Sequence, residues 1–220
     1  MPRTDKDFSS RREQLIKLAL EQFIEKGYEN TTITDLQKSF GLTKGGMYHY
    51  FNSKEEILDT VIEYGLRQGI KELIEELENT PLEKKLILFF FFSATNDFTR
   101  NLFKHSENNN FSIVSYRLRE KTVKLTVPVL KGIVREYVEA GFYKTKYSDE
   151  MAEFSIILAM AITDEERLPQ LDIAHRKGRV DALLDLWSRC MAPSAEHIHE
   201  LQTNLYKLIG FNKKEDQKIK

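Results

Sequence analysis

Between Gly27 and Lys54 the run GYENTTITDLQKSFGLTKGGMYHYFNSK divides itself into helices, and that punctuation constrains the fold more than any other feature of the chain. Thr32 followed three residues later by Asp35 forms a capping box, which satisfies amides that a new helix leaves unpaired. Leu36 and Phe40 lie four apart on the inner face of this helix, and Gly41 supplies the left-handed cap that ends it. After a tight turn Thr43 caps a second short helix, from Lys44 to about Phe51. Met47 and Phe51 are again four apart and apolar, so both are expected to pack on the helix that precedes the run. Ser53 opens the next helix, with Glu56 completing another box. Two short helices joined by a glycine-containing turn of about three or four residues outline a helix-turn-helix, here at about 32–51.

The remaining segments carry a helical period, and none shows sustained strand alternation. A first helix is expected over about 10–26, burying Leu15, Ile16, Ala19, Phe23 and Ile24. A long helix starts at Lys54 and keeps apolar residues from Ile57 to Leu77, with Gly65 and Gly69 as bending or close-packing points. Thr80-Pro81 opens a helix through Phe89–Phe92, and a polar break at 105–110 follows. Another helical stretch includes 111–124 and reaches Ala140, with Pro128 as a kink or restart. Further helices are expected at about 148–163, after a polar loop at 164–172 at about 173–191, and from Ser194 to Gly210. The fold class is therefore all-α. It divides into a small three-helix N-terminal domain at 9–69, a larger helical domain at 70–211, and a frayed tail at 212–220.

Composition excludes more than it identifies. The 220 residues carry a net charge of −1, and the first sixty hold nine Lys/Arg against ten Asp/Glu, so no global basic field points to nucleic acid. Positive charge would have to gather on one face, with Arg11, Arg12, Lys38, Lys44 and Lys54 as the candidates. Cys190 is the single cysteine, which rules out an intrachain disulfide and fits a reducing cytoplasm. Its place one turn from Trp187 reads as packing rather than as a nucleophile. The N-terminus lacks the apolar segment of a signal peptide, and the most apolar run, 86–92, is far short of the ~20 residues that span a bilayer. A soluble cytoplasmic protein with no membrane partner is expected.

The residue detail of the run resembles the N-terminal domain of the TetR family of tetracycline-repressor-like regulators. The shared features are Phe23, Gly27 and Tyr28; Thr31 and Thr32; Gly41, Leu42, Thr43, Lys44 and Gly45; Tyr48 and Phe51; and Ser53, Lys54 and Glu55. The likeness covers roughly the first quarter of the chain. Gln37-Lys38 departs from the usual alanine, and Gly46 replaces a small hydroxyl or alanine, removing a side chain able to read a base. The resemblance implies a transcriptional regulator, more often a repressor, that binds a palindromic double-stranded DNA operator as a homodimer. It further implies a C-terminal domain that dimerises and holds a small-molecule effector.

On these grounds the DNA-contacting set is Thr32, Thr43, Lys44, Gly45, Gly46, Tyr48, His49, Tyr50 and Lys54. A lysine at the start of the recognition helix meets guanine acceptors in the major groove, and glycines let the backbone approach closely. Tyr48 resembles the family's phosphate-contacting tyrosine, and Lys54 is placed to reach another phosphate. Four consecutive phenylalanines, Phe89–Phe92, cannot all serve one helix stripe, which motivates an apolar effector pocket lined by Phe92, Asn96, Phe111, Tyr116 and Phe154. Asp97 is the one charge between Leu86 and Phe98, so a neutral, hydrophobic effector is favoured. Val180, Leu183, Leu184, Trp187 and Met191 repeat at three- and four-residue spacing and are assigned to the dimer interface. The alternative for that stripe is the core of its own domain.

No metal site is expected, because His197 and His199 are two apart and cannot share a helix face. No cofactor motif, phosphate-cradling loop, nucleophile elbow or supported carboxylate pair is present, so the chain is read as a non-enzyme. Two other classes stay open at this stage: a helical lipid- or ligand-binding protein without DNA binding, and a DNA-acting enzyme carrying a helix-turn-helix. A salt-dependent shift of duplex DNA dismisses the first, and the second requires turnover of nucleic acid or nucleotide.

Overall fold

In the computed structural model of the chain, residues 5–95, 98, 101, 102, 113–163 and 172–210 are described. Every regular element among them is a helix: α1 (Asp5–Lys26), α2 (Ile33–Phe40), α3 (Lys44–Tyr48), α4 (Lys54–Glu78), α5 (Leu82–Thr95), α6 (Ile113–Glu139), α7 (Ser148–Thr163), α8 (Ile173–Met191) and α9 (Ala195–Leu208). The expected break at 105–110, Asn96, Phe111, nearly all of the 164–172 loop and the tail from 212 lie outside the described residues. None of the described helices is long and apolar enough to cross a membrane.

The chain divides into two compact units, residues 1–69 with 97–122 and residues 70–96 with 123–220. The sequence reading drew a single division at 69/70; the structure groups 97–122 with the first unit as well. Charge pairing explains part of this grouping, because Lys121 on α6 reaches Glu63 on α4 at 3.1 Å and Arg117 lies 3.6 Å from Asp59. Two residues of neighbouring turns are thereby tied to one face of α4.

The first unit is built around α1. Its Leu15, Ala19 and Phe23 are fully or almost fully buried, as are Leu36 and Phe40 of α2, Met47 of α3, and Ile57, Leu58, Val61 and Ile62 of α4. Burying such side chains stabilises by roughly 1.5–3 kcal/mol each, which is what holds helices too short to stand alone. Gly65 in α4 serves close packing. A Cβ there would fall 2.1 Å from the Phe98 ring, so that ring rests directly on the helix backbone.

The second unit packs α5, α8 and α9 together, and α7 against α8. Its core holds Leu86, Phe89 and Phe90 from α5, Leu130, Val134 and Tyr137 from α6, and Ala152 and Ile156 from α7. Val180, Leu183, Leu184, Trp187 and Met191 of α8 are all within it. The assignment of these five to a dimer interface is therefore corrected: the stripe is the inward face of α8, its most apolar side, claimed first by its own unit. Two polar ties sit inside this core. The Trp187 Nε1 donates to Ser155 Oγ at 2.6 Å, and Tyr143 Oη pairs with His197 Nε2 at 2.8 Å. Burial holds His197 below the usual histidine pKa and so favours its neutral, hydrogen-bonding form.

Local chemistry departs from expectation in four further places. α3 ends at Tyr48 rather than near Phe51, since the two amides after His49 both turn back to the Met47 carbonyl. Thr80 does not cap α5; its hydroxyl donates backward to the Glu76 carbonyl. α6 runs continuously through Pro128. Cys190 is exposed, because it falls one position off the buried stripe.

Replacing Gly65 with Ala should destabilise the protein by about 1–3 kcal/mol despite alanine's higher helix propensity, because the methyl overpacks against Phe98. Urea unfolding should show the loss, and Phe98→Leu in the same chain should recover part of it.

Candidate nucleic-acid interface

The turn between α2 and α3 is made by backbone geometry that the sequence specifies. Gly41 adopts φ 62° and ψ 34°, a left-handed conformation that costs a glycine nothing, and its amide closes on the Gln37 and Lys38 carbonyls. Thr32 opens α2 with a complete capping box: its hydroxyl accepts from the Asp35 amide at 3.1 Å, and its own amide donates to the Asp35 carboxylate at 2.9 Å. Hydrogen bonds from Thr32, with the Lys26 ammonium 3.2 Å away, hold that carboxyl well below the usual range. Thr43 opens α3 by accepting from the Gly46 amide at 3.2 Å. Ser53 caps α4 through the Glu56 amide, whereas the Glu56 carboxylate reaches past it to the Asn52 amide at 2.8 Å.

α3 sorts its residues by face. Met47 is fully buried and Phe51 nearly so, while Lys44, Gly45, Tyr48 and His49 are exposed. A Cβ at Gly45 would touch nothing, and one at Gly46 would meet only ordinary contacts with Thr43 and Leu42. The exposed face therefore offers a cation, a bare stretch of backbone, a phenol and an imidazole. Tyr50 does not share it, contrary to the sequence reading. It is 7% exposed and its ring stacks on Phe8 at 4.9 Å. Thr32 and Thr43 remain exposed, but their hydroxyls are engaged as caps.

Lys54 is half-buried at the first turn of α4. Its ammonium sits 4.1 Å from the centroid of the Tyr28 ring and 3.4 Å from the Glu29 carbonyl. Desolvation lowers its pKa, and burial pushes the Tyr28 phenol up to about 12. Two of the other expected basic residues are spent internally. Arg11 donates to the Phe40 carbonyl at 3.2 Å, covering the end of α2, and Arg12 lies over the Phe51 ring at 4.9 Å beside Glu56. Lys38 and Lys44 stay exposed. Sequence reasoning missed Phe8 and the parts played by Arg11 and Tyr28; a lone aromatic among polar residues before the first periodic turn was the available signal.

Of the predicted effector lining, Asn96 and Phe111 lie outside the described residues, and two of the other three do not face inward. Tyr116 is 60% exposed and Phe154 53% exposed, so neither lines an enclosed space; both stand on helix sides turned away from the buried stripes. Of the four phenylalanines, Phe89 and Phe90 enter the core, Phe92 packs half-buried against it, and Phe91 is exposed.

A capped helix-turn-helix with an exposed, cation-bearing second helix defines a DNA-binding protein of the helix-turn-helix class. Residues 15–61 match the family "Bacterial regulatory proteins, tetR family". The chain is 26% identical over 174 residues to the HTH-type transcriptional repressor KstR2 of Mycolicibacterium smegmatis, covering 78% of this chain and 75% of that one. Among solved structures, RolR in complex with resorcinol superposes with a TM-score of 0.64 at 16% identity, over 90% of this chain and 96% of that one. FadR of Bacillus subtilis with stearoyl-CoA gives 0.56 at 18% identity, over 91% and 98%. Residues 15–61 thus match a TetR-family DNA-binding domain, and the chain as a whole is similar to TetR-family transcriptional regulators.

Gly45→Ala tests what the bare backbone of α3 is for. With open space around the new methyl, the fold should gain about 0.5–1 kcal/mol in urea unfolding, while binding to DNA weakens.

Proposed function

We propose that this regulator is a repressor that binds a palindromic operator as a homodimer, laying α3 in the major groove, and releases it when a small apolar effector occupies the second unit. The observation that carries the DNA reading is the split of α3: Met47 locked in the core, with Lys44, Tyr48 and His49 presented outward. Lys44 at the helix start is suited to guanine acceptors, and Tyr48 and Lys54 to phosphates on either side. KstR2 is named as a repressor, which supports the sign of regulation. RolR and FadR, solved with resorcinol and with stearoyl-CoA, support a small organic effector, and Phe92 remains a candidate for its lining.

A two-fold operator calls for a two-fold protein. α7 and α8 present apolar residues on sides other than the corrected stripe. On α7, Phe154, Ile157, Leu158 and Ala161 follow helical spacing, with Phe154 and Ile157 more than half exposed. On α8, Gly178, Ala182 and Leu186 recur every four residues and are all exposed. α7 and α8 pack on each other, so a second copy can cover both faces and close a four-helix bundle.

Lys54→Ala should weaken all duplexes alike and lower the salt slope of binding by about one, whereas Lys44→Ala should also relax preference at one base position by about 1–3 kcal/mol. Mobility shifts across a salt series check both, and unchanged binding in the two variants would dismiss the DNA interface.

For the dimer, Ile157→Glu and Leu186→Glu should give folded monomers in sedimentation analysis that no longer bind a palindromic duplex. Leu184→Glu should instead unfold the chain, because that residue is only 4% exposed within the core. A folded dimer in both surface variants would move the interface elsewhere.

A further inference from the structure

The recognition helix cannot hold its own orientation. α3 spans five residues, Lys44–Tyr48, and two of them are glycine. A helix of this length is far below the about 12–15 residues that persist in isolation, and each glycine costs a further ~1 kcal/mol against alanine. Its alignment must therefore come from contacts with other elements. Thr43 fixes its first turn, and Met47 anchors its inner side. Just past the end of α3 stand His49, exposed, and Tyr50, buried.

That end is held by the first turns of α1. The Phe8 ring stacks on Tyr50 at 4.9 Å with an interplanar angle of 12°, and meets His49 edge-on at 5.5 Å and 85°. His49 and Tyr50 are themselves edge to face at 5.4 Å. One turn along α1, Arg11 donates to the last carbonyl of α2, so the same segment touches the ends of both helices of the motif. Phe8 lies before residue 15, where the family match begins, so the brace is a feature of this chain beyond the matched region.

We propose that Phe8 is a positioning residue for base readout: its ring braces His49 and Tyr50 and thereby sets the angle at which α3 meets the major groove. The inference rests on the DNA-binding reading above. Phosphate contacts tolerate a loosened helix because long basic side chains follow the backbone, whereas contacts to base edges do not. Loss of the brace should therefore reduce discrimination between sequences more than it reduces attraction to DNA.

The test uses the full-length chain and two probes: a duplex enriched by the wild-type protein from a random-sequence library, and a duplex of unrelated sequence. Phe8→Ala should lower affinity for the enriched duplex about tenfold, the scale of one aromatic pair, and leave affinity for the unrelated duplex unchanged. Phe8→Trp, which keeps a flat ring, should restore the ratio, and Phe8→Leu, which keeps apolar bulk without a stacking face, should not. If Phe8→Ala fails to fold, the Leu and Trp variants alone decide, since both retain apolar cover. Equal loss on both duplexes, no loss, or full restoration by Leu would overturn the proposal. A wild-type chain that enriches no duplex would instead overturn the DNA-binding reading itself.

Discussion

Burial of Met47 is the constraint on which the rest of the DNA-binding unit depends. α3 is too short and too rich in glycine to persist by propensity, so it exists where one side chain is pinned in a core supplied by α1, α2 and α4. That pin decides the face: with Met47 and Phe51 inward, Lys44, Tyr48 and His49 must point away. The helix caps then fix where α3 starts and α2 stops, and the left-handed Gly41 sets the angle between them. Function follows from what this arrangement leaves uncovered.

Electrostatics in this unit are local. The first sixty residues carry almost equal numbers of opposite charges, and several basic groups serve the fold: Arg11 covers a helix end, Arg12 covers an aromatic ring, and Lys26 holds Asp35. Lys54 is an intermediate case. Its ammonium rests on Tyr28 and the Glu29 carbonyl, an arrangement that orients it while desolvation makes its charge dearer to keep. An approaching anion would relieve that cost.

The second unit shows how an amphipathic stripe can mislead. Val180, Leu183, Leu184, Trp187 and Met191 have the spacing of an interface seam, but the same spacing serves a core, and the unit's own α5, α7 and α9 reach it first. The Trp187 indole finding Ser155 inside the core seals the assignment, since a buried N–H needs a partner and has one there. What α8 offers outward is a row of small residues ending in Leu186 and Cys190, a pattern too weakly apolar to stand out in a hydropathy reading.

The sequence by itself determined the helical class, the caps at Thr32, Thr43 and Ser53, the stop at Gly41, and the inward set Leu36, Phe40, Met47 and Phe51. These follow from interactions within four residues along the chain, where spacing and side-chain chemistry leave few options. Only the tertiary structure decided which of two chemically similar roles each remaining residue took. Tyr50 went inward because Phe8, forty-two positions earlier, offered a flat partner; the α8 stripe went to the core because neighbouring helices claimed it; Phe154 and Tyr116 stand exposed because, among the described residues, no element covers their sides of α7 and α6. Each of these depends on contacts between residues distant in sequence, and periodicity along one helix carries no information about what packs against it.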